Sequence, residues 1–340
     1  MATLNALWQA WRWRRKRQWR LWCAFRKRRQ LHPLADRTNR IRRGDVLLFC
    51  TLRNEAERLP WFLKHYRALG VSHFLFVDNA STDASAEMLH DEPDVSLWST
   101  PASYRAARFG MDWLQWLLMR HGHGHWCVSV DADELLVYPH HETRPLPALT
   151  GWLEAQDITS FGALMLDLYP KGPVNRAAHE SGQNPLDVLH WFDRANYTIT
   201  RKADLEYLWL QGGPRSRHFF AQDPRRGPTL SKIPLVKWHW RYAYVNSTHS
   251  MLPRRLNHVY DTKGGELVSG VLLHTKFLPM ISARSAEEKQ RRQHFGEPGA
   301  FDDYYDALID GADLWCDAST RYRGWRQLEA EGLMSHGGWA

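Results

Sequence analysis

Two carboxylates one residue apart, Asp131 and Asp133, follow the short apolar run 128–130 within Trp-Cys-Val-Ser-Val-Asp-Ala-Asp-Glu-Leu-Leu-Val-Tyr (126–138). In extended backbone, positions i and i+2 project to the same face, so both acids are expected to reach one ion. Carboxylate oxygens are hard ligands that suit Mg2+ or Mn2+. In α/β proteins the C-terminal end of a buried strand is also where ligands bind. An ion held there can bridge to substrate phosphates and neutralise a departing diphosphate. The plain alternative is a polar strand end, so the reading depends on what else converges there.

Two further segments are candidates. Asp78 stands in Val-Asp-Asn-Ala-Ser-Thr-Asp (77–83), where its carboxylate can accept a nucleobase N–H while Asn79 and Ser81 offer more hydrogen bonds. The same residue types also build ordinary turns and caps. Arg53-Asn54-Glu55 follows an apolar run and either holds a nucleotide or begins a helix. His121-Gly-His123-Gly-His125 resembles a metal tract but reads more simply as a polar connection. There is no GxGxxG and no GxxxxGK[ST], so neither a dinucleotide nor a P-loop site is indicated.

The elements that must position these residues alternate. Strands are expected at 46–50, 73–77, 95–98 and 126–130, with helices at 55–69, 82–88 and 104–120. Gly70 reads as a C-cap. Buried apolar strands alternating with helices predict a doubly wound, mostly parallel α/β sheet, with acid-tipped strand ends meeting in one crevice. After residue 139 prolines punctuate a less regular region. It is expected to hold a helix near 149–156, strands near 161–167, 235–240 and 270–277, and helices at 285–294 and 302–309. The expected division is a basic aromatic tail and linker at 1–45, an α/β domain at 46–310 and an extension at 311–340.

Charge separates the tail from the body. Residues 1–45 hold 14 Lys and Arg against Asp36 and Asp45, a net of +12; with a chain total of +8, residues 46–340 carry −4. Specific nucleic-acid binding by the body is thereby disfavoured. Residues 4–29 are expected to form a helix. Leu4, Leu7, Trp8, Trp11, Trp19, Leu21, Trp22 and Phe25 fall on one side, and Arg12, Lys16, Arg17, Arg20, Lys27 and Arg28 lie largely opposite. Arg14, Arg15, Arg26 and Arg29 intrude on the apolar side. Such a helix suits the headgroup region of an anionic bilayer, which places the protein at the inner face of a membrane; a disordered tail, or a helix for RNA or a partner, is the alternative. Four cysteines without CxxC pairing read as reduced thiols of a cytoplasmic protein, and no run of 18 uncharged apolar residues spans a membrane.

The segments 52–70, 76–83 and 130–134 together resemble the family-2-like glycosyltransferases of the GT-A fold, and more closely the branch related to glycosyltransferase family 92. Gly-Gly-Pro-Arg-Ser-Arg (212–217), Leu-Ser-Lys-Ile-Pro-Leu (230–235), Ser-Thr-His (247–249) and Leu-Leu-His-Thr-Lys-Phe (272–277) extend the likeness across roughly 46–310. The resemblance implies a nucleoside diphosphate sugar donor and a glycan or lipid-linked acceptor of the cell envelope. Asp78 would then sit at the base, and Asp131 with Asp133 would clamp Mn2+ or Mg2+. His274 would add a third ligand, with His249 as the alternative. Lys276 projects to the same strand face as His274, toward diphosphate oxygen. Arg215 and Lys232 either neutralise phosphate or are surface charges. An inverting transfer needs a carboxylate base, for which Asp193 and Asp223 are candidates, Asp193 being as readily a buried structural acid.

Two rival functions remain. Val-Asp-Ala-Asp at a strand end also resembles the nucleophile strand of haloacid dehalogenase-type phosphatases. There, however, that strand comes first with Gly-Thr after the second Asp, and here Glu134-Leu135 follows. A non-catalytic membrane- or RNA-binding scaffold accounts for the tail but leaves the acid-tipped strands unexplained.

Overall fold

The computed structural model describes residues 4–262, 265–291 and 301–339. The chain is a mixed α/β protein built on a nine-stranded sheet. Its strands are β1 (His32–Ala35), β2 (Val46–Leu52), β3 (His73–Asp78), β4 (Val95–Ser99), β5 (Trp126–Ser129), β6 (Glu134–Val137), β7 (Ser160–Asp167), β8 (Ser231–Lys237) and β9 (Ser269–His274). Across the sheet they run in the order β1-β4-β3-β2-β5-β8-β7-β9-β6. Six strands (β2, β3, β4, β5, β7 and β9) share one direction, while β1, β8 and β6 oppose them. The sheet is therefore mostly parallel, as its apolar strands imply.

Side-chain alternation along β2 explains why both faces are covered. Val46, Leu48, Cys50 and Leu52 enter one core with Phe62 and Tyr66 of helix α2 (Leu59–Ala68). Leu47 and Phe49 enter another, with Trp113, Leu114 and Leu117 of α4 (Met111–His121). The short helix α3 (Ser85–Asp91) links β3 to β4. Helix α5 (Leu146–Ala155) adds Leu146, Leu149 and Leu153 to the α2 side. Gly70 has φ +90° and takes the left-handed turn after α2, where a Cβ would stand 2.8 Å from Pro147.

Several expected boundaries move. Residues 55–58 precede α2 as a turn, with Glu55 and Arg58 paired at 2.8 Å, and the helix begins at Leu59. Residues 104–110 coil in turns through left-handed Arg108 and Phe109, so the long expected helix begins only at Met111. Strand β8 starts at Ser231, four residues before its expected start, and β9 stops at His274. The expected helix at 285–294 is α7 (Ile281–Arg291), and the rest of that expectation lies outside the described residues.

The expected linker holds β1, which adds an antiparallel edge to β4. Helix α1 (Leu4–Lys27) is likewise packed on the body, and by the side opposite to its apolar stripe. Trp13 is buried among Leu205, Tyr207, Val245 and Leu252. Lys27 lies 3.5 Å from the buried Asp112, Gln30 accepts from Trp113 Nε1 at 2.9 Å, and Lys16, Arg17 and Arg20 are half-buried. Buried Asp112 and the pocket for Trp13 favour the basic side inward, with long stems lying along apolar surface.

Candidate active site

The loops after β2 and β3, the turn after β5 and parts of α6 (Gly213–Phe219) and α7 enclose a cavity of about 280 Å³. Lys232 stands near the start of β8. Because β8 runs against its neighbours, that start lies at the same edge as their ends. His274 closes β9 beside Asp167, the last residue of β7. Chain segments far apart in sequence thus deliver charged side chains to one edge.

Asp131-Ala132-Asp133 forms a tight turn between β5 and β6, with Glu134 N–H donating to the Asp131 carbonyl at 3.1 Å, and not the extended backbone expected. The two carboxylates accordingly diverge. Asp131 accepts from Lys232 Nζ at 2.8 Å, while Asp133 Oδ2 stands 3.2 Å from His274 Nε2. Among the described residues no cluster of three His, Cys, Asp or Glu side chains is arranged to hold an ion.

Each divergent acid heads a buried network. Lys232 also donates to Glu134, whose other oxygen accepts the Asp131 N–H at 3.1 Å. Burial raises Glu134 to about 7 against the opposing pull of Lys232. Burial also disfavours the Lys232 ammonium, but Asp131 and Glu134 overcome it and hold the proton on. In the second network His274 Nδ1 bonds Asp167 at 2.6 Å, and Arg215 Nε reaches the other Asp167 oxygen at 2.7 Å. Burial opposes the charge on Asp167, yet Arg215 and His274 keep it at about 2. Burial likewise opposes charge on Asp133, which His274, Arg58 and Arg284 drive well below the usual carboxylate range.

The remaining expected residues divide into those that reach the cavity and those that support it. Arg53, Glu55, Asn79, Arg215, Lys232, His249, His274 and Lys276 line it. His249 gives Nδ1 to the Ser231 carbonyl at 2.7 Å, and burial with nearby Lys232 lowers it to about 4. Asp78 does not line the cavity. Its carboxylate is turned onto its own loop, accepting from both the N–H and the hydroxyl of Ser81. Asn54, at φ +53°, ties the two loops together by accepting from Thr82 N–H at 2.8 Å. Glu55 is buried between Arg58 at 2.8 Å and Arg284 at 2.5 Å.

Neither expected base is brought to the site. Asp193 is surrounded by Tyr169 (2.5 Å), Asn196 (2.9 Å) and both arms of Arg217 (3.0 Å), which leaves it a structural acid. Asp223 does not line the cavity and pairs with Arg225 at 3.2 Å.

Residues that sequence reasoning passed over are Glu134, Asp167, Tyr104 and the α7 side chains Arg284, Glu287 and Glu288. Glu287 bonds Arg53 at 2.9 Å and Asn54 at 3.0 Å, so α7 packs directly on the loop after β2. Asp167 had a readable signal, an acid ending the apolar run 161–166; the α7 residues had none beyond helical charge pairing.

No family model matches the chain, and no curated protein matches it. Among solved structures it is similar to the mannosyltransferase PcManGT from Pyrobaculum calidifontis in complex with GDP-Man and Mn2+. The identity is 20% over 47% of this chain and 46% of that one, with a TM-score of 0.28. The match thus spans less than half of that protein, and the branch related to glycosyltransferase family 92 is not supported by these findings.

Proposed function

We propose that the protein is a metal-dependent glycosyltransferase that moves a sugar from a nucleoside diphosphate donor to a cell-envelope glycan or lipid-linked acceptor. The observation that carries this reading is the pairing, in one cavity at the edge of a mostly parallel sheet, of adjacent Asp131 and Asp133 with Arg53, Arg215, Lys232 and Lys276. A dianionic diphosphate with a divalent ion needs this combination of hard oxygen ligands and fixed cations.

Asp131, Asp133 and His274 would hold Mn2+ or Mg2+. The donor types fit, since a ligating imidazole commonly has its other nitrogen fixed by a carboxylate, and Asp167 stands on His274 Nδ1 at 2.6 Å. To share an ion, however, Asp131 and Asp133 would have to turn from Lys232 and from their divergent arrangement. The ion would stabilise charge on the departing nucleoside diphosphate. Lys232, Arg215 and Lys276 face the diphosphate in this reading, and Arg53 with Asn79 faces the nucleoside. Asp78, Asn54 and Glu55 act one step back, by shaping the loops that present Arg53 and Asn79.

The test is thermal stabilisation by a panel of nucleoside diphosphates, each with and without Mn2+. A shift that requires both the metal and one nucleotide, and that vanishes in Asp133→Ala, is the expected result. No shift with any nucleotide, together with phosphate release from an aryl phosphate, would replace the reading with a phosphohydrolase.

A further inference from the structure

Helix α1 contains no acidic residue, and most of the large apolar side chains on its outer face are open to solvent. Leu7, Trp8, Trp11, Trp19, Trp22 and Phe25 are 44–58% exposed, and they are six of the nine large apolar side chains exposed among the described residues. Exposed Arg14, Arg15, Arg26 and Arg29 lie between them. Arg15 sits 5.0 Å over the Trp11 ring and Arg26 4.9 Å over Trp22, while Trp19 and Trp22 stack at 4.8 Å. Leaving this much aromatic surface in water is unfavourable, and contiguous patches of this kind mark interaction sites.

The face is rigidly presented because the opposite side of α1 is anchored by Trp13 and Lys27, and Phe25, at the margin of the face, meets Trp116 edge-on at 5.9 Å. It also continues beyond the helix. In the turn after β8, Trp240 is 43% exposed, stacks on His239 at 5.8 Å and carries Arg241 4.6 Å over its ring. His239 in turn meets His123 edge-on at 4.9 Å. Two residues beyond Arg241, Ala243–Tyr244 pack on α1, and Val245 joins the pocket around Trp13, which holds this turn beside the helix.

We propose that the outer face of α1 together with Trp240 and Arg241 is a docking surface for an anionic lipid bilayer, with the indole rings at headgroup depth and the guanidinium groups on lipid phosphates. Charge complementarity selects the partner: a helix of Trp and Arg without a single acid opposes a negatively charged plane. A single helix face exposed on one side suits a plane better than a nucleic-acid strand, which proteins usually take into a basic groove. No described helix is long and apolar enough to cross the membrane, so the contact is interfacial.

The test uses the full chain with vesicles of phosphatidylcholine, with and without phosphatidylglycerol, read by co-sedimentation and by quenching of Trp fluorescence with brominated lipid. The expected results are at least ~10-fold tighter binding to the anionic vesicles and quenching confined to them. The double variant Trp19→Ala/Trp22→Ala should weaken binding ~10-fold, and Trp240→Ala about 3-fold, with thermal midpoints unchanged. Equal binding to both vesicle types, no quenching, or release of bound protein by stoichiometric RNA would overturn the proposal. Binding by Trp240→Ala equal to that of the unaltered chain would overturn its extension beyond α1.

Discussion

The cavity and the outer face of α1 are both rich in cations, yet they hold them in opposite ways. In the cavity Lys232 bonds Asp131 and Glu134, Arg215 bonds Asp167, and Arg284 bonds Glu55. On α1, Arg15 and Arg26 rest on indole rings instead. A buried charge needs a fixed counterion, because removing either partner strands the other in low dielectric. An exposed guanidinium on an aromatic face needs none and stays available to an external anion. The comparison distinguishes cations that are part of an internal geometry from cations kept for a surface.

The sharpest way to break this contrast is in the cavity. Asp133→Ala should lower sugar transfer by about 10³-fold while leaving vesicle binding intact, measured by donor turnover and sedimentation on one preparation. Lys232→Met should cost about 3–5 kcal/mol in urea unfolding, since it leaves Glu134 without its cation; a cost below about 1 kcal/mol would mean that the network is not a matched set.

A smaller effect separates the body's buried histidines from the exposed face. His65 bonds the Leu136 carbonyl at 2.9 Å and burial lowers it to about 4; burial, then Arg120, does the same to His121. The unfolded chain takes up these protons near the ordinary histidine value, and the folded chain does not until about 4. Stability is therefore full above about pH 6.5 and declines as pH falls through that window, by roughly 3 kcal/mol for an imidazole lowered as far as His65. His65→Gln should flatten the slope in a pH series of thermal melts. The smallest effect is expected on α1, where Arg15→Met should change stability by less than about 0.5 kcal/mol yet measurably weaken anionic vesicle binding.

Local pattern made half of this molecule legible. Strands β2, β3, β4 and β5 are apolar runs, and their order with the intervening helices announced a doubly wound sheet. The motif acids Asp131 and Asp133 were found because they end such a run, whereas Lys232 and His274 came only with the family resemblance, and Lys232 lies outside the strand expected at 235–240. Asp78 and Asp193 show where the reading fails. Both are acids at apolar edges, but one is consumed by its own turn through Ser81 and the other by Tyr169, Asn196 and Arg217. Residue type does not reveal which hydrogen bonds will saturate a carboxylate. The two sides of α1 were separable by periodicity, but which one faces the body depended on a pocket made by Leu205, Tyr207, Val245 and Leu252, far along the chain. Likewise α7, whose sequence carries only charge pairs, earned its place beside Arg53 through a tertiary contact.

Strand β8 has a consequence for how the chain is made. It lies between β5 and β7 and pairs with both, yet β5 ends at Ser129 and β8 begins at Ser231. During synthesis, β5 and later β7 must wait with an unfilled hydrogen-bonding edge until that late segment leaves the ribosome. Non-local pairing of this kind is slow, and an open apolar strand edge recruits strands from other chains. Truncation anywhere before residue 231 would therefore yield an insoluble product and not a smaller working one, and full-length folding should be sensitive to translation rate and crowding by sister chains.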